Sequence, residues 1–468
     1  MLKLEPILET PSDSLARSPL RILEQRLHAD PSRVVLRPFH LGWQATNAPE
    51  GRALRLVCDV MGLSEEQVAH EYDVVIRDFG NRHWQTEHLF EARYREVAES
   101  LHLDGHGLSE ARCRLIGAFF CHEYTYAAAA LMNPSIVPSP NQSGMEDGAM
   151  RFILSLRAVG EGHISSIAFR EGIIEPDGRF LLWPESAFAT SVQRTDACAR
   201  NDANCTVTVQ CHPESTLSNT VIFPITEQQA NGLEDLRLVR MDHGDGDFEW
   251  LGTYTAYSGR SIRSELLRTR DFRQFQLTPI QGRAGRNKGM ALFPEKIGGQ
   301  YCMIGRQDGK NLYLLRSNWV DTWDDEGILL MEPRFPWEFI QIGNCGSPIL
   351  TPEGWLVITH GVGAMRKYAL GCCLLDRDDP SKVIARSAEP ILTAENADRA
   401  GYVPNVVYSC GGMLTGGNQL LLPYGISDIA VGFALGSLMH PAGAAAPAGL
   451  CAFMALCCPL VNAGRSTG

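Results

Sequence analysis

The chain has 468 residues, long enough for one large domain with an appendage, and 44% of it is apolar. Its net charge of −12 and pI near 5.6 argue against a nucleic-acid binder, which would carry a basic face, and favour a small-molecule partner. Fourteen cysteines lie scattered with no Cys-x-x-Cys pair, and the charged start Met-Leu-Lys-Leu-Glu-Pro lacks a secretory profile, so a zinc ribbon, a disulfide framework and export are all disfavoured.

Residues 1–130 read as a helical N-terminal region, with the pattern beginning at about Leu20. Phe90, Tyr94, Val97 and Leu101 recur on one helical face. That apolar stripe needs a partner surface, which a second copy of the chain or the wall of a substrate site would supply. Ser64 before Glu65-Glu66-Gln67 reads as an N-cap with a capping box, and the glycines at 105 and 107 mark the next boundary. His83 and His88 are five apart rather than four, so a solvated helix accounts for them better than a zinc site.

From residue 131 to about 440 the texture is mainly β. Short apolar runs at 152–156, 163–169, 180–182, 250–257 and 301–306 alternate with turn glycines. Many short strands fit a sandwich, a barrel or a propeller, and a recurrence favours the propeller. Three runs, ending at Arg306, His360 and Tyr424, share a turn, an apolar strand and a polar terminus, at intervals near the length of a four-stranded blade. Their polar ends would converge on one channel. Cys198, Cys205, Cys211 and His212 cluster inside an insertion with spacing too irregular for a metal site. The cysteines are read as free thiols of a cytoplasmic protein. Residues 441–468 form an apolar low-complexity tail, where Pro447 and Pro459 argue against a membrane span and for a closing strand with a poorly ordered end.

Within the β region, Gly232-Leu233-Glu234-Asp235-Leu236-Arg237 sets an acidic pair between a turn glycine and an arginine. Other pieces are Asn133-Pro134-Ser135, Arg157 in Ser-Leu-Arg-Ala, and the run from Asn287-Lys288-Gly289 through Phe293-Pro294-Glu295-Lys296. Further along come Arg306, His360-Gly361-Val362, Tyr402-Val403-Pro404-Asn405 and Tyr424-Gly425-Ile426-Ser427-Asp428. In order and spacing these pieces resemble glycoside hydrolase family 130, the inverting mannoside phosphorylases and mannosidases, over residues 133–428. The resemblance implies a five-bladed β-propeller, here with an α-helical N-terminal extension, that needs no metal or other cofactor.

Inverting cleavage of a glycosidic bond needs a proton for the leaving oxygen and a nucleophile on the opposite face of the sugar. Water as nucleophile requires a second carboxylate to activate it, whereas phosphate requires cations to hold it. The resemblance assigns Asp235 as general acid, acting through a hydroxyl of the bound mannose, with Glu234 shaping its corner. Asn133, Ser135, Arg157, Tyr424 and Asp428 would bind the sugar. Lys288, Arg306 and His360 would ring an inorganic phosphate as three potential cations, joined by Gln341, where phosphorylases of the family carry a lysine. Lys288 itself stands where many carry arginine, and both changes weaken the cation set. No carboxylate accompanies those positions, so phosphorolysis of β-mannosides to α-mannose 1-phosphate is expected ahead of hydrolysis. A non-catalytic sugar-binding propeller is the remaining alternative, using Trp250 and Tyr254 as platforms. His163 and Ser166 are candidates for the side that holds the leaving sugar.

Overall fold

In this computed structural model the described residues are 20–39, 51–437 and 457–459, apart from 84, 104–106, 186–187, 198–201, 203 and 396–397. The fold is mainly β, with four helices confined to the N-terminal part. The expected helical start at about Leu20 is not met: Leu20–His28 is a strand. Its buried residues Leu20, Leu23 and Leu27 fall at helix-like spacing because the pairing register breaks between Ile22 and Arg26. Such an irregularity adds a residue to one strand and erases the alternation by which strands are read.

The helices follow as α1 (Arg52–Met61), α2 (Glu65–Phe79), α3 (Thr86–Leu101) and α4 (Glu110–Phe119). Ser64 closes the expected capping box, its Oγ accepting from the Gln67 amide at 3.2 Å while Gln67 Oε1 accepts from the Ser64 amide at 2.9 Å. The α3 stripe finds its partner inside the chain. Phe90 and Val97 are buried, and Val97, Tyr94 and Leu101 share a core cluster with Leu115 and Ile116 of α4. The two helices approach so closely that a Cβ on Gly117 would lie 1.9 Å from the Phe90 carbonyl oxygen. The strand pair Val34–Pro38 and Cys121–Thr125 brackets the helices. His83 is buried against Glu123, 2.7 Å from its Oε1, rather than standing on a solvated helix.

Hydrogen bonding divides the strands into sheets of twelve, seven, five, four and two strands, none of them closed among the described residues. Within them, antiparallel runs follow in chain order. Ala130–Pro138, Met150–Val159, Ser165–Ile174 and Phe180–Leu182 come first, then Gly232–Asp242, Phe248–Tyr257, Ile262–Thr269 and Gln274–Pro279. Ala291–Leu292, Tyr301–Gly305, Leu312–Ser317 and Ile328–Met331 form the next, followed by Gln341–Asn344, Gly354–Val362, Tyr368–Leu375 and Val383–Ser387. The last run joins Val407–Tyr408, Gln419–Ile426 and Ala430–Ser437 to Leu20–His28 as its edge strand. Most of the C-terminal tail lies outside the described residues; its strand Cys457–Pro459 pairs with Val383–Ser387.

Trp250 and Tyr254 are core residues and not platforms. They pack with Phe272, Phe275 and Leu277, and the Tyr254 hydroxyl donates to Glu265. Nine described cysteines are free, but Cys205 is disulfide-bonded, which corrects the free-thiol reading at that position. Cys211 is buried in the core, and Cys198 lies outside the described residues. No helix among the described residues is long and apolar enough to cross a membrane, and no group of three or more His, Cys, Asp or Glu is placed to hold a metal ion.

Candidate active site

The first strand of each antiparallel run, or the loop entering it, sends a side chain into one cavity of about 450 Å³. Two of these strands bulge to do so. Register breaks between Met132 and Ser135 and between Glu234 and Arg237, and at those breaks Asn133 (φ 49°) and Asp235 (φ 56°) take the left-handed conformation. A bulge turns a side chain out of the alternating pattern, and non-glycine residues hold this conformation only when their surroundings enforce it. Here the two residues enforce each other: Asn133 Nδ2 donates to Asp235 Oδ1 at 2.6 Å.

Arg157, on the second strand of the first run, completes the acidic side. Its Nη2 donates to Glu234 Oε1 at 2.6 Å, its Nη1 to Asp235 Oδ1 at 3.3 Å and its Nε to Ser165 Oγ at 2.9 Å. Arg237, fully buried behind the corner, donates to the backbone oxygens of Asp235 and Cys345 and to the Tyr408 hydroxyl. Burial pushes the Asp235 carboxyl up, but Arg157, Arg237, Asn133 and Lys288 together outweigh it and hold it below the usual carboxylate range. Asp428 enters the cavity from a turn in which Ser427 (φ 46°) and Asp428 (φ 55°) are both left-handed. Burial and then the nearby Asp235 push Asp428 up to about 6, against Arg157 and Arg366.

Lys288, Arg306, Gln341 and His360 line the same cavity. Glycines make room for them. A Cβ on Gly289 (φ 81°) would stand 2.8 Å from Arg306 Nε and Nη2, and one on Gly343 would stand 2.3 Å from His360 Cε1 and 3.0 Å from Arg306 Cδ. His360 packs against Tyr368 and Tyr408, with ring centroids 5.9 and 4.8 Å away, and the two tyrosines also meet at 6.4 Å. Burial, reinforced by Arg306 and Arg237, drives its imidazole well below the usual value. His360 is therefore a neutral hydrogen-bonding group and not the third cation expected from the sequence. Arg306 Nε and both His360 ring nitrogens are buried without a hydrogen-bond partner among the described residues. The Arg306 Nε donor, beside Lys288, suits a polyoxygen anion.

Eight of the eleven expected site residues line the cavity: Asn133, Arg157, Asp235, Lys288, Arg306, Gln341, His360 and Asp428. Glu234 stands behind Arg157. Ser135 is fully buried and its Oγ accepts from the Leu238 amide at 3.0 Å, stapling two strands. Tyr424 is also buried, in a core cluster, with its hydroxyl 3.4 Å from Arg26 Nη1. The strand that carries it runs on to Ile426, so the cavity position falls on Asp428. Ser166 is buried and bonds the Ala158 carbonyl, while His163 stacks on exposed Tyr402 at 6.0 Å without lining the cavity. Sequence reading missed Asn287, Arg366, Tyr368 and Tyr408 in the lining and Arg237 behind it. Arg237 closes the acidic hexapeptide and was within reach; the tyrosines had no spacing to mark them.

The family model for glycoside hydrolase family 130, described as beta-1,4-mannooligosaccharide phosphorylase, matches residues 209–440. A 1,2-beta-oligomannan phosphorylase from Thermoanaerobacter sp. (strain X514) is 35% identical over 47% of this chain and 73% of that protein. A beta-1,2-mannobiose phosphorylase from the same organism is 35% identical over 44% of this chain and 68% of that protein. Among solved structures, a glycosyl hydrolase from Bacteroides ovatus shares the fold with a TM-score of 0.50 and 18% identity, over 68% of this chain and 87% of that one. On its sequence relationships the chain belongs to glycoside hydrolase family 130.

Proposed function

We propose that this protein is an inverting β-mannoside phosphorylase that transfers a mannosyl unit to inorganic phosphate and releases α-mannose 1-phosphate. One observation carries the reading: a single cavity gathers Asp235 and Asp428 with Lys288, Arg306, Gln341 and His360. Phosphate held by Lys288, Arg306 and His360 would lie under the anomeric carbon, while Asp235 protonates the leaving oxygen and Asn133 and Arg157 hold sugar hydroxyls. The Arg306 Nε donor, without a partner among the described residues, supports an anion there. No carboxylate lies among those four residues to activate water, which disfavours hydrolysis.

We read the sheets as five blades of a propeller. The twelve-stranded sheet supports this, because two four-stranded runs within it are joined directly, among the described residues, only at Gly232 and Ser165, and the strand Leu20–His28 gives the last blade its fourth member.

Both relatives at 35% identity are named for β-1,2-linked mannosides, so β-1,2-mannobiose is the substrate to test first. With phosphate present, α-mannose 1-phosphate and mannose are expected in equal amounts, and without it turnover should cease. Free mannose released at the same rate in both incubations would overturn phosphorolysis.

A further inference from the structure

The segment 398–406 wraps the turn that brings Asp428 to the cavity. Val403, itself part of the lining, donates its amide to the Ser427 carbonyl at 3.1 Å. Ser427 in turn donates its amide to the Val406 carbonyl at 2.8 Å and its Oγ to the Asp398 carbonyl at 2.6 Å. The approach is close, since a Cβ on Gly401 would lie 2.4 Å from the Ser427 carbonyl oxygen. Tyr402, between Gly401 and Val403, is thereby fixed beside the cavity with 61% of its surface exposed. An exposed residue next in the chain to a lining residue marks where the cavity meets solvent.

A second element reaches the same tyrosine. The strand Met150–Val159, which carries Arg157, turns through Glu161–His163 into Ser165–Ile174, whose Ser165 accepts from Arg157. The tip is pinned: the Tyr124 hydroxyl donates to the Glu161 carbonyl at 2.8 Å, and a Cβ on Gly160 would lie 2.3 Å from the Thr125 carbonyl oxygen. There His163 is left-handed (φ 59°), and its ring stands 6.0 Å from that of Tyr402 at a tilt of 31°. Both side chains are exposed, so burial does little to offset the backbone strain, and strain that packing does not offset points to a function. Aromatic rings at this separation attract and restrict one another.

We propose that Tyr402 determines acceptor specificity: its ring, held by His163, is the platform on which the leaving sugar lies. The inference rests on the phosphorylase reading and deepens it by assigning the site of the second sugar. The cavity residues hold phosphate and the mannosyl unit, and the sugar beyond the cleaved bond extends past the rim that Val403 and Tyr402 form. One face of a pyranose presents C–H bonds whose partial positive charge meets the negative face of an aromatic ring. Tyr402 offers such a face to solvent, whereas Trp250 and Tyr254 are closed off in the core. His163 is a positioning residue that acts only through Tyr402.

The synthetic direction separates the two sugar positions, because α-mannose 1-phosphate fills the cavity and the acceptor fills only the platform. The acceptor is whichever of mannose, glucose and N-acetylglucosamine the wild type uses best. In Tyr402→Ala we expect the KM for the acceptor to rise roughly tenfold and that for α-mannose 1-phosphate to stay within about twofold. Tyr402→Phe keeps the ring and should match the wild type. His163→Ala should raise the acceptor KM about threefold alone and add nothing in the Tyr402→Ala background, since its effect passes through that ring. An unchanged acceptor KM in Tyr402→Ala overturns the proposal, and so does an equal rise in both constants, the mark of a structural residue. A wild type that joins α-mannose 1-phosphate to none of the three acceptors defeats the phosphorylase reading itself, a result distinct from either of these, and the platform falls with it.

Discussion

At the scale of single residues, the anion site depends on an atom that is missing by design of the side chain. Gly343 has no unusual backbone angle, so alanine would fit its conformation, yet a Cβ there would stand 2.3 Å from His360 Cε1 and 3.0 Å from Arg306 Cδ. His360 packs against two tyrosines, which limits its retreat. Overpacking of this kind costs about 1–3 kcal/mol. For Gly343→Ala we therefore expect the KM for phosphate to rise on the order of tenfold, the equivalent of about 1.4 kcal/mol. The KM for the mannoside should change much less, because the acidic residues are untouched. Initial-rate kinetics with each substrate varied in turn check this, and an equal rise in both would show that the glycine serves the whole cavity.

The same scale shows what the sequence could disclose about the site. Asn133, Asp235, Lys288, Arg306 and His360 were legible because each sits in a short run whose order along the chain is distinctive. The charge of His360 was not, since burial and Arg306, brought together only by folding, decide it. Tyr424 was misassigned through a strand-end count two residues short, and Tyr368 and Tyr408 sit inside ordinary apolar strands that nothing local distinguishes.

At the scale of elements, local chemistry was read most reliably where it acts alone. The α2 capping box follows from four consecutive residues and depends on no distant contact. Helix α2 buries only Val68 completely, so tertiary packing does little to compensate for a lost cap. Ser64→Ala should cost about 1 kcal/mol. We expect that cost as faster hydrogen exchange of the first α2 amides, with unchanged exchange in the sheets and unchanged catalysis. Leu20–His28 illustrates the opposite case. Its irregular pairing with Ala430–Ser437, some four hundred positions away in the chain, imposed a strand on residues whose local pattern is helical.

At the scale of the molecule, that strand joins the two ends of the β region. Leu23 and Leu27 belong to the core cluster of Phe152, Phe180 and Phe433, while Leu20 belongs to the one containing Leu370, Leu422 and Tyr424. Arg26 reaches Tyr424 and, at 3.8 Å, Asp398, on the segment whose backbone oxygen accepts from Ser427 Oγ next to Asp428. Packing of the strand Leu20–His28 is thereby coupled to the turn that aims a carboxyl into the cavity. Leu23→Ala should cost about 2–5 kcal/mol, a large fraction of the roughly 5–15 kcal/mol that holds a typical domain together. Urea unfolding should record that loss as a lower midpoint with an unchanged slope. Deleting residues 1–28 goes further, because it exposes the edge of Ala430–Ser437, and unpaired edges recruit other chains. The truncated protein should associate on light scattering and lose most of its activity. If it instead keeps the association state of the full chain with full turnover, the N-terminal strand is dispensable and the last sheet holds Asp428 in place unaided.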